Sequence, residues 1–273
     1  MRISLATEAA SIKRPNEDFV AATDDVIVLL DGATVPGNLE TGCRHGTRWF
    51  ARQLGSEIFT RLVGRPDVNL ADCLADAIKA LANRHSDTCN IAHPGHPSAT
   101  VIMVCERPHG FEYLVLADST LVIETESEAK AITDNRLAQV AIEQRKNLRK
   151  YPPNTAERDA AFAELTAMLR QHRNKPGGFW VAATDPEAAY HAITGTEDHD
   201  AVRSITAMTD GGSVIVDRFG SLDWTELVSA LREAGPDGLI RMIRNLERSD
   251  AACQRWPRSK PHDDATVVFA LPG

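Results

Sequence analysis

Acidic residues stand at the ends of three apolar segments of this chain. One segment ends in Asp31-Gly32, a second ends in Thr209-Asp210-Gly211, and a third begins directly after Asp263-Asp264. A carboxylate at the mouth of a buried strand is held rigidly, and a neighbouring glycine lets backbone and solvent approach it. Any one Asp-Gly pair is usually only a turn. Several carboxylates that converge, however, repel one another unless cations lie between them, and such oxygen ligands favour Mg²⁺ or Mn²⁺ over zinc.

Short apolar runs predict the strands that position these residues. Val26 to Leu30 has the pattern of a buried strand that stops at a turn, and Asp18 to Thr23 is expected to pair with it through a hairpin at Thr23-Asp24-Asp25. Further strands are predicted at Ala99 to Cys105, Phe111 to Ala117, Leu121 to Glu124, Phe179 to Ala183, Ser204 to Met208 and Ala265 to Leu271.

Apolar residues at helical spacing predict two amphipathic helices, lying side by side, over residues 40–62 and 68–89, the second capped by Asn69. Residues 136–173 are predicted to be helical with a break at Tyr151-Pro152-Pro153-Asn154. Two more helices are expected at Trp224 to Ala234 and Gly238 to Cys253. Hairpins and helix pairs are segregated and no linker divides the chain, which favours an antiparallel α+β layer fold in one domain, residues 1–273.

Composition excludes several classes of partner. The 273 residues are 43% hydrophobic and 25% charged with a net charge of -8, which argues against nucleic acid. The N-terminus lacks the apolar core of a signal peptide, and no apolar run approaches the roughly 18 residues of a membrane span. The five cysteines are widely spaced without a CxxC pair, so neither a zinc site nor a disulfide framework is indicated. We expect free thiols in a cytoplasmic protein, and a monomer.

Six short motifs follow one another along nearly the whole chain: Asn16-Glu17-Asp18, Val28-Leu29-Leu30-Asp31-Gly32, Ser98-Ala99-Thr100-Val101, Ala117-Asp118-Ser119, Thr209-Asp210-Gly211 and Asp263-Asp264-Ala265-Thr266. In kind and in order they resemble those of the metal-dependent protein phosphatases, the type 2C serine/threonine phosphatases. The resemblance implies an antiparallel β-sandwich flanked by helix pairs, in α-β-β-α layers.

The resemblance also implies a centre with two Mn²⁺ or Mg²⁺ ions at one edge of the sandwich. It assigns Asp31 as the bridge between both ions and the carbonyl of Gly32 as a ligand of one of them. It assigns Asp210 and Asp263 to the other ion, and it implies that Glu17 and Asp18 hold metal-bound waters. A hydroxide shared by two cations has a lowered pKa and would attack phosphorus in line with the leaving alkoxide. The implied substrate is a phosphorylated protein.

Two departures concern the substrate phosphate and the proton donor. Where the family has an arginine that grips the phosphate, this chain has Lys13 with Arg14 beside it, and either or both are candidates. The Gly or His pattern that follows Asp-Gly in the family is replaced by residues 33–36, Ala-Thr-Val-Pro. Possible substitutes for the missing general acid are His45, His93 and His96.

A third ion and the role of one acidic segment stay open. Asp118 matches the position that binds a third ion, but Val214 stands where the family often has a further acidic residue. The segment from Gly195 to Asp200 is interpreted as a solvated acidic loop or as a flap near the site.

Three functional hypotheses follow. The first is an active phosphatase for phosphoserine or phosphothreonine in proteins. The second, motivated by Lys13 and the missing Gly or His, is a catalytically weak relative that acts as a regulatory binding module. The third keeps the chemistry but changes the substrate to a small phosphorylated metabolite.

Overall fold

The structure is a computed structural model that describes residues 1–33, 35, 39–65, 67–153 and 155–273. Within these residues, ten strands form two antiparallel sheets of five. Sheet 1 has the order β1 (Arg2–Glu8), β10 (Ala265–Leu271), β9 (Ser204–Met208), β6 (Thr120–Glu124) and β7 (Ala129–Ile132). Sheet 2 has the order β2 (Phe19–Ala22), β3 (Val26–Leu30), β4 (Val101–Arg107), β5 (Gly110–Leu116) and β8 (Ile193–Glu197).

The two sheets face each other across an apolar core. Ile27 and Leu29 of β3 pack in one cluster with residues of sheet 1 such as Leu121 and Val268. Val28 of β3 belongs instead to a second cluster, on the outer face of sheet 2. Because side chains alternate between the faces of a strand, β3 must be apolar at every position, and all five of its residues are buried.

Helices cover both outer faces. They are α1 (Gly46–Gly64), α2 (Leu70–His85), α3 (Arg136–Gln139), α4 (Ile142–Leu148), α5 (Ala156–His172), α6 (Asp210–Asp217) and α7 (Trp224–Ser249), with a short 3₁₀ helix at Pro186–His191. Side chains of α1 and α2 pack on sheet 2, and those of α6 and α7 pack on sheet 1. The predicted α-β-β-α layering is therefore confirmed. Within the described residues, no helix combines the length and apolar character needed to cross a membrane.

Local signals account for several element boundaries. The side chain of Asn69 accepts hydrogen bonds from the N–H groups of Ala71 (2.9 Å) and Asp72 (3.1 Å), so the predicted cap of α2 is confirmed. The predicted break between the last two helices appears as a kink in α7 at Gly235, whose φ of 68° is left-handed. The last helix ends at Ser249, four residues before its predicted end.

Three sequence predictions were wrong. The first helix begins at Gly46 rather than near residue 40. Phe179 to Ala183 is not a strand, and Ala182 makes only an isolated bridge to Ala99. The prediction failed because a short segment can be apolar when it is buried without being a strand. The segment predicted to be an acidic loop or flap includes the end of β8, where Gly195 pairs with Tyr113 of sheet 2.

The predicted break at residues 151–154 lies partly outside the described residues, since Asn154 is not among them. On either side of it, α4 ends at Leu148 and α5 begins at Ala156. The side chain of Thr155 caps α5 by accepting a hydrogen bond from the N–H of Arg158 (3.3 Å).

A buried ion pair fixes the turn after α7. The carboxylate of Asp250 accepts three N–H bonds, from Gln254, Arg255 and Trp256, and pairs with the guanidinium of Arg258 at 2.7 Å. Both side chains are almost fully buried, at 5% and 7% exposure. Although burial opposes its charge, the Trp256 and Arg255 N–H groups and the Arg258 guanidinium lower the pKa of Asp250 to about 2.

We expect Asp250→Ala to lower the free energy of unfolding by about 3 kcal/mol at neutral pH, because it leaves Arg258 buried without its partner. The folded-state pKa of Asp250 lies below its ordinary value of 3.8, so its contribution is present above about pH 4 and is lost as the pH falls towards 2. Urea unfolding at pH 7 and pH 3 measures this, and the difference between wild type and variant should shrink at pH 3. Glu126→Gln, which breaks the exposed pair with Arg203, is the control and should change stability by under about 0.5 kcal/mol.

Candidate metal centre

The antiparallel pairing of the strands brings four aspartates to one edge of the sandwich. Asp18 precedes β2 and Asp31 follows β3, and these strands pair with Phe19 opposite Leu30, so both carboxylates lie at the same end of sheet 2. In sheet 1, β9 and β10 pair in the same sense, which brings together Asp210, after β9, and Asp263, before β10. Residues far apart in sequence therefore meet in one acidic cluster of Asp18, Asp31, Asp210 and Asp263.

Asp18 is held by Thr266 of β10 and by Thr209, which directly follows β9. Its Oδ2 accepts hydrogen bonds from the hydroxyls of Thr266 (2.6 Å) and Thr209 (3.1 Å). Its Oδ1 is buried and has no hydrogen-bond partner among the described residues. Burial, followed by the charges of Asp264 and Asp210, raises the pKa of Asp18 to about 8. Such an orphaned buried oxygen needs either a proton or a cation.

Asp31 is fixed through its backbone. Its N–H donates to the hydroxyl of Thr100 (3.1 Å), and the N–H of Thr100 donates to its carbonyl (2.9 Å). The same hydroxyl lies 2.6 Å from that of Ser119. Burial, together with the charges of Asp210, Asp18 and Asp263, raises the pKa of the Asp31 carboxyl well above its ordinary value. The backbone thus sets the position of a carboxyl group that does not ionise readily without a counter-charge.

Two glycines next to the aspartates allow close backbone contact. A Cβ atom at Gly32 would lie 2.6 Å from the carbonyl oxygen of Glu17 and 2.8 Å from Cγ2 of Thr47. A Cβ atom at Gly211 would lie 2.0 Å from the carbonyl oxygen of Asp264. Only glycine lets the loops bearing these residues approach so closely.

Asp264 is a structural anchor for the N-terminal loop. Its Oδ1 accepts the N–H of Ala10 (2.7 Å) and its Oδ2 accepts the N–H of Glu17 (2.8 Å). These bonds hold the loop that carries Glu17 and Asp18 against the beginning of β10. The neighbouring Asp263 is left to face the cluster.

One ammonium group lies among the carboxylates. Nζ of Lys260 is 2.8 Å from Oδ1 of Asp263, and its side chain is 25% exposed. Burial disfavours its charge, but Asp263 and Asp210 more than compensate and raise the pKa of Lys260. Asp210 is exposed as a residue, but its carboxyl group is enclosed. Burial of this carboxyl group, followed by the charges of Asp263 and Asp118, raises the pKa of Asp210 to about 7. A single ammonium therefore does not balance the cluster.

Asp118 lies beside this group. Burial raises its pKa, Arg145 lowers it, and Asp134 and Asp263 raise it further. Its electrostatic coupling to Asp263 puts it within range of the cluster, next to a positive charge from α4.

A pocket opens beside the cluster, at Asp263. It is lined by Ala10, Arg14, Pro15, Glu17, Val35, Lys260, His262, Asp263 and Asp264. Of the two basic residues predicted to bind phosphate, Arg14 lines this pocket, whereas Lys13 is an exposed residue outside the lining. Of the segment that replaces the family's Gly or His pattern, Thr34 and Pro36 lie outside the described residues.

The three histidines considered as proton donors lie elsewhere. His45 stacks on Trp49 with ring centroids 4.1 Å apart, the Nε2 atom of His96 lies 2.9 Å from that of His85, and Nδ1 of His93 bonds to the N–H of Gly95.

His262 lines the pocket instead, with its Nδ1 2.8 Å from Oε2 of Glu247. Sequence reasoning missed both His262 and Lys260. The only signal for them was a basic run directly before Asp263-Asp264.

The donor set fits hard divalent cations. It consists of carboxylates, with the orphaned Oδ1 of Asp18 buried among them and with pKa values that burial and the neighbouring aspartates raise. Oxygen ligands of this kind suit Mg²⁺ or Mn²⁺, which would replace the protons that the carboxylates otherwise retain.

Comparisons with known proteins identify the fold and the family. The sequence model of the family Protein phosphatase 2C matches residues 7–244. A bacterial serine phosphatase has a similar structure, with a TM-score of 0.63 and 13% identity over 100% of this chain and 98% of that one. The catalytic domain of the serine/threonine protein phosphatase PstP, in complex with 2 manganese ions, gives a TM-score of 0.58 and 14% identity over 99% of this chain and 97% of that one.

A third similar structure is the serine/threonine phosphatase Stp1 from Staphylococcus aureus, with a TM-score of 0.61 and 12% identity over 98% of this chain and 94% of that one. No curated protein matches the chain in sequence. Identities this low show a shared fold, and the family is shown by the match to its sequence model over most of the chain. The chain belongs to the protein phosphatase 2C family.

Proposed function

We propose that this chain is a Mg²⁺- or Mn²⁺-dependent phosphomonoester hydrolase that acts on phosphoserine or phosphothreonine in proteins, with residues 1–273 as one catalytic domain. The observation that carries the proposal is the acidic cluster with its orphaned oxygen, Oδ1 of Asp18. Membership of the family supports the reaction class. The two manganese ions described for PstP support the metals.

The residues of the cluster have distinct roles in this proposal. Asp31 would help to hold both ions, and the carbonyl of Gly32 would be a ligand of one of them. Asp210 and Asp263 would hold the other ion, while Asp18, together with Glu17 on the same loop, would orient water at the site. Asp118 is the candidate ligand for a third ion, since its carboxyl is electrostatically coupled to Asp263.

When bound, the ions supply an activated water molecule and neutralise charge on the phosphoryl oxygens. The chain's own residues bind and orient the substrate. Arg14 lines the pocket and presents a fork of N–H donors that matches a phosphate dianion, so we assign it the phosphate contact. Lys260 adds a second positive charge on the same side of the pocket.

His262 is the proposed proton donor to the departing serine or threonine oxygen. Its Nδ1 is bonded to Glu247, which fixes the ring in the pocket wall and directs Nε2 away from that carboxylate. Glu247 is in turn paired with Arg244 at 2.8 Å, so its position is itself constrained.

Removing a proposed metal ligand should abolish hydrolysis. We expect Asp31→Asn and Asp210→Asn each to reduce the Mn²⁺-dependent turnover of p-nitrophenyl phosphate and of a phosphothreonine peptide at least about 100-fold, because each removes a charged ligand. Asp198→Asn, which changes an exposed carboxylate just after β8, is the matched control and should leave the rate unchanged. Full activity in either cluster variant would contradict the site assignment.

Substrate class can be tested with the same preparation. A phosphopeptide panel should be hydrolysed with a higher kcat/KM than a panel of phosphorylated metabolites. The reverse order would favour the small-molecule phosphatase. Binding of Mn²⁺ without turnover of either panel would favour a regulatory module.

Arg14 and Lys13 can be separated by parallel substitution. We expect Arg14→Gln to raise KM for a phosphopeptide about tenfold, because a charge-assisted contact to phosphate is lost. Lys13→Gln should leave KM nearly unchanged, because Lys13 lies outside the pocket lining. Steady-state kinetics with saturating Mn²⁺ measure both, and an equal effect of the two substitutions would contradict the assignment of the phosphate contact to Arg14.

The stability of the metal-free protein should depend on pH. The pKa values of Asp18 and Asp210 in the folded state, about 8 and about 7, lie above their ordinary value of 3.8. Folding therefore favours the protonated carboxyls, and their contribution is present at low pH and is lost as the pH rises from about 4 through 8. Because Mn²⁺ replaces those protons, the rise in Tm on adding Mn²⁺ should be larger at pH 8 than at pH 5. Differential scanning calorimetry with and without chelator checks this, and an equal rise at both pH values would argue against metal binding at the cluster.

A further inference from the structure

A second group of metal-ligating side chains lies at the end of α2, and the acidic cluster does not use it. Sγ of Cys43 and one ring nitrogen each of His85 and His96 lie within 4.8 Å of one another. The three residues are 8%, 2% and 1% exposed. Cys43 lies just before α1, His85 is the last residue of α2, and His96 lies in the loop that leads to β4.

The hydrogen bonds of the two histidines fix their protons. Nδ1 of His85 lies 2.6 Å from the carbonyl oxygen of Leu81, and Nδ1 of His96 lies 3.1 Å from that of Pro97. A carbonyl only accepts, so each Nδ1 carries the hydrogen and each neutral ring presents the lone pair of Nε2. The two Nε2 atoms face each other at 2.9 Å. Two lone pairs at this distance repel unless a proton or a metal ion is bound there.

Neutral imidazole is the form that binds metals. Burial lowers the pKa of His96 to about 4, and the neighbouring charges of His85 and Arg173 also lower it. A ring that donates Nδ1–H to a backbone carbonyl while Nε2 stays available has the arrangement of a metal-ligating histidine. Trp49 packs edge-on against His85 and Phe50 against His96, which surrounds the ligand atoms with apolar rings.

Cys89, next to Cys43, is the candidate fourth ligand, although its Sγ is not within 4.8 Å of all three of the other ligand atoms. Cys89 follows His85 by four residues, and its Sγ lies 3.5 Å from that of Cys43. Burial opposes ionisation of Cys89, but the N–H of Arg44 and the thiol of Cys43 lower its pKa overall.

Backbone N–H groups also point at the Cys43 sulfur. Burial raises the pKa of this thiol overall, and the N–H groups of His45 and Gly46 oppose that rise only in part. Gly46 adopts a φ of 78°, which other residues rarely adopt, where the chain turns into α1. A buried thiol of this kind ionises when a bound cation supplies the positive charge, and the N–H groups then help to hold the thiolate.

We propose that Cys43, His85, His96 and Cys89 form a structural zinc site. Zinc–ligand bonds of about 2.0–2.3 Å in a tetrahedron place ligand atoms about 3.3–3.8 Å apart. Among Cys43, His85 and His96 the spans run from 2.9 Å between the ring nitrogens to at most 4.8 Å, which brackets that range. The sulfur of Cys89 is 3.5 Å from that of Cys43 and would move towards the histidines when zinc binds. Sulfur and imidazole ligands select zinc, whereas the carboxylates of the acidic cluster select Mg²⁺ or Mn²⁺.

The site connects the loop before α1, the end of α2 and the entry to β4. Just beyond His96, Ser98 accepts the N–H of Ala33 (2.9 Å), and Thr100 holds the backbone of Asp31 through two hydrogen bonds. Zinc would therefore immobilise the backbone that holds Asp31. The importance of this for catalysis depends on the proposed function. The zinc site itself does not.

Metal analysis of the purified, reduced full chain tests the site. After gel filtration in metal-free buffer, we expect one zinc ion per chain. Cys43→Ser and His96→Asn should each weaken zinc affinity by about 100-fold or more and lower Tm. Cys253→Ser removes a buried thiol that lies outside this group, so it is the matched control and should retain the zinc. Asp31→Asn should abolish hydrolysis yet retain the zinc, which separates failure of this proposal from failure of the phosphatase assignment.

Cobalt substitution of the Asp31→Asn protein gives a second readout that needs no ligand variant to fold. A tetrahedral cobalt–thiolate site absorbs strongly in the visible range with a charge-transfer band, whereas six oxygen ligands give only weak absorption. Strong absorption is the expected result. The proposal is overturned by reduced wild-type protein that neither contains nor takes up zinc, or by equal zinc in Cys43→Ser. A native mass lower by two hydrogens that is restored on reduction would show a Cys43–Cys89 disulfide instead.

Discussion

Four carboxylates from both sheets share one edge of the sandwich, and their mutual repulsion is the constraint on which the surrounding structure depends. Burial and neighbouring charge raise the pKa of Asp18 to about 8 and that of Asp210 to about 7. Such a group destabilises the fold at neutral pH unless protons or cations compensate it. The fold therefore needs strong hydrogen bonds around the four carboxylates to hold them together.

The anchors are mostly hydrogen bonds between the backbone and short polar side chains. Thr266 of sheet 1 and Thr209, directly after β9, hold Asp18 at the entry to sheet 2, which connects the two sheets across their edge. Thr100 holds Asp31, and Asp264 holds the N-terminal loop. Since these groups approach closely, the glycines beside the aspartates are required sterically as well as for access.

Two kinds of ligand set are separated within one fold. The edge of the sandwich carries oxygen donors beside a pocket, while the region around the end of α2 carries the sulfur of Cys43 and the imidazoles of His85 and His96, which are almost fully buried. The first arrangement leaves room for a substrate. The second closes around its ligands, as a structural site does. The backbone from His96 to Thr100 connects the two regions.

Local sequence was sufficient for many elements of this protein. The apolar run of β3, the hairpin with β2, the cap at Asn69 and the order of the acidic motifs were all predicted from neighbouring residues, because strand burial, capping and turns depend on short-range patterns. Predictions were wrong where a buried apolar segment is not a strand, as at Phe179 to Ala183. The strand β8 was not recognised, because its residues are mostly exposed.

Only the tertiary structure decided which side chains meet. Sequence spacing gave no means to choose Arg14 over Lys13 for the pocket, or to place Lys260 and His262 in it, since that depends on how the N-terminal loop lies against the start of β10. The same holds for Cys43, His85 and His96, which spacing did not connect and which packing of the loops around α2 brings together. The sequence alone thus placed each aspartate of the acidic cluster, because each is fixed next to the end of its own strand. Contacts between distant loops were decided by the fold, because they depend on packing that no local pattern encodes.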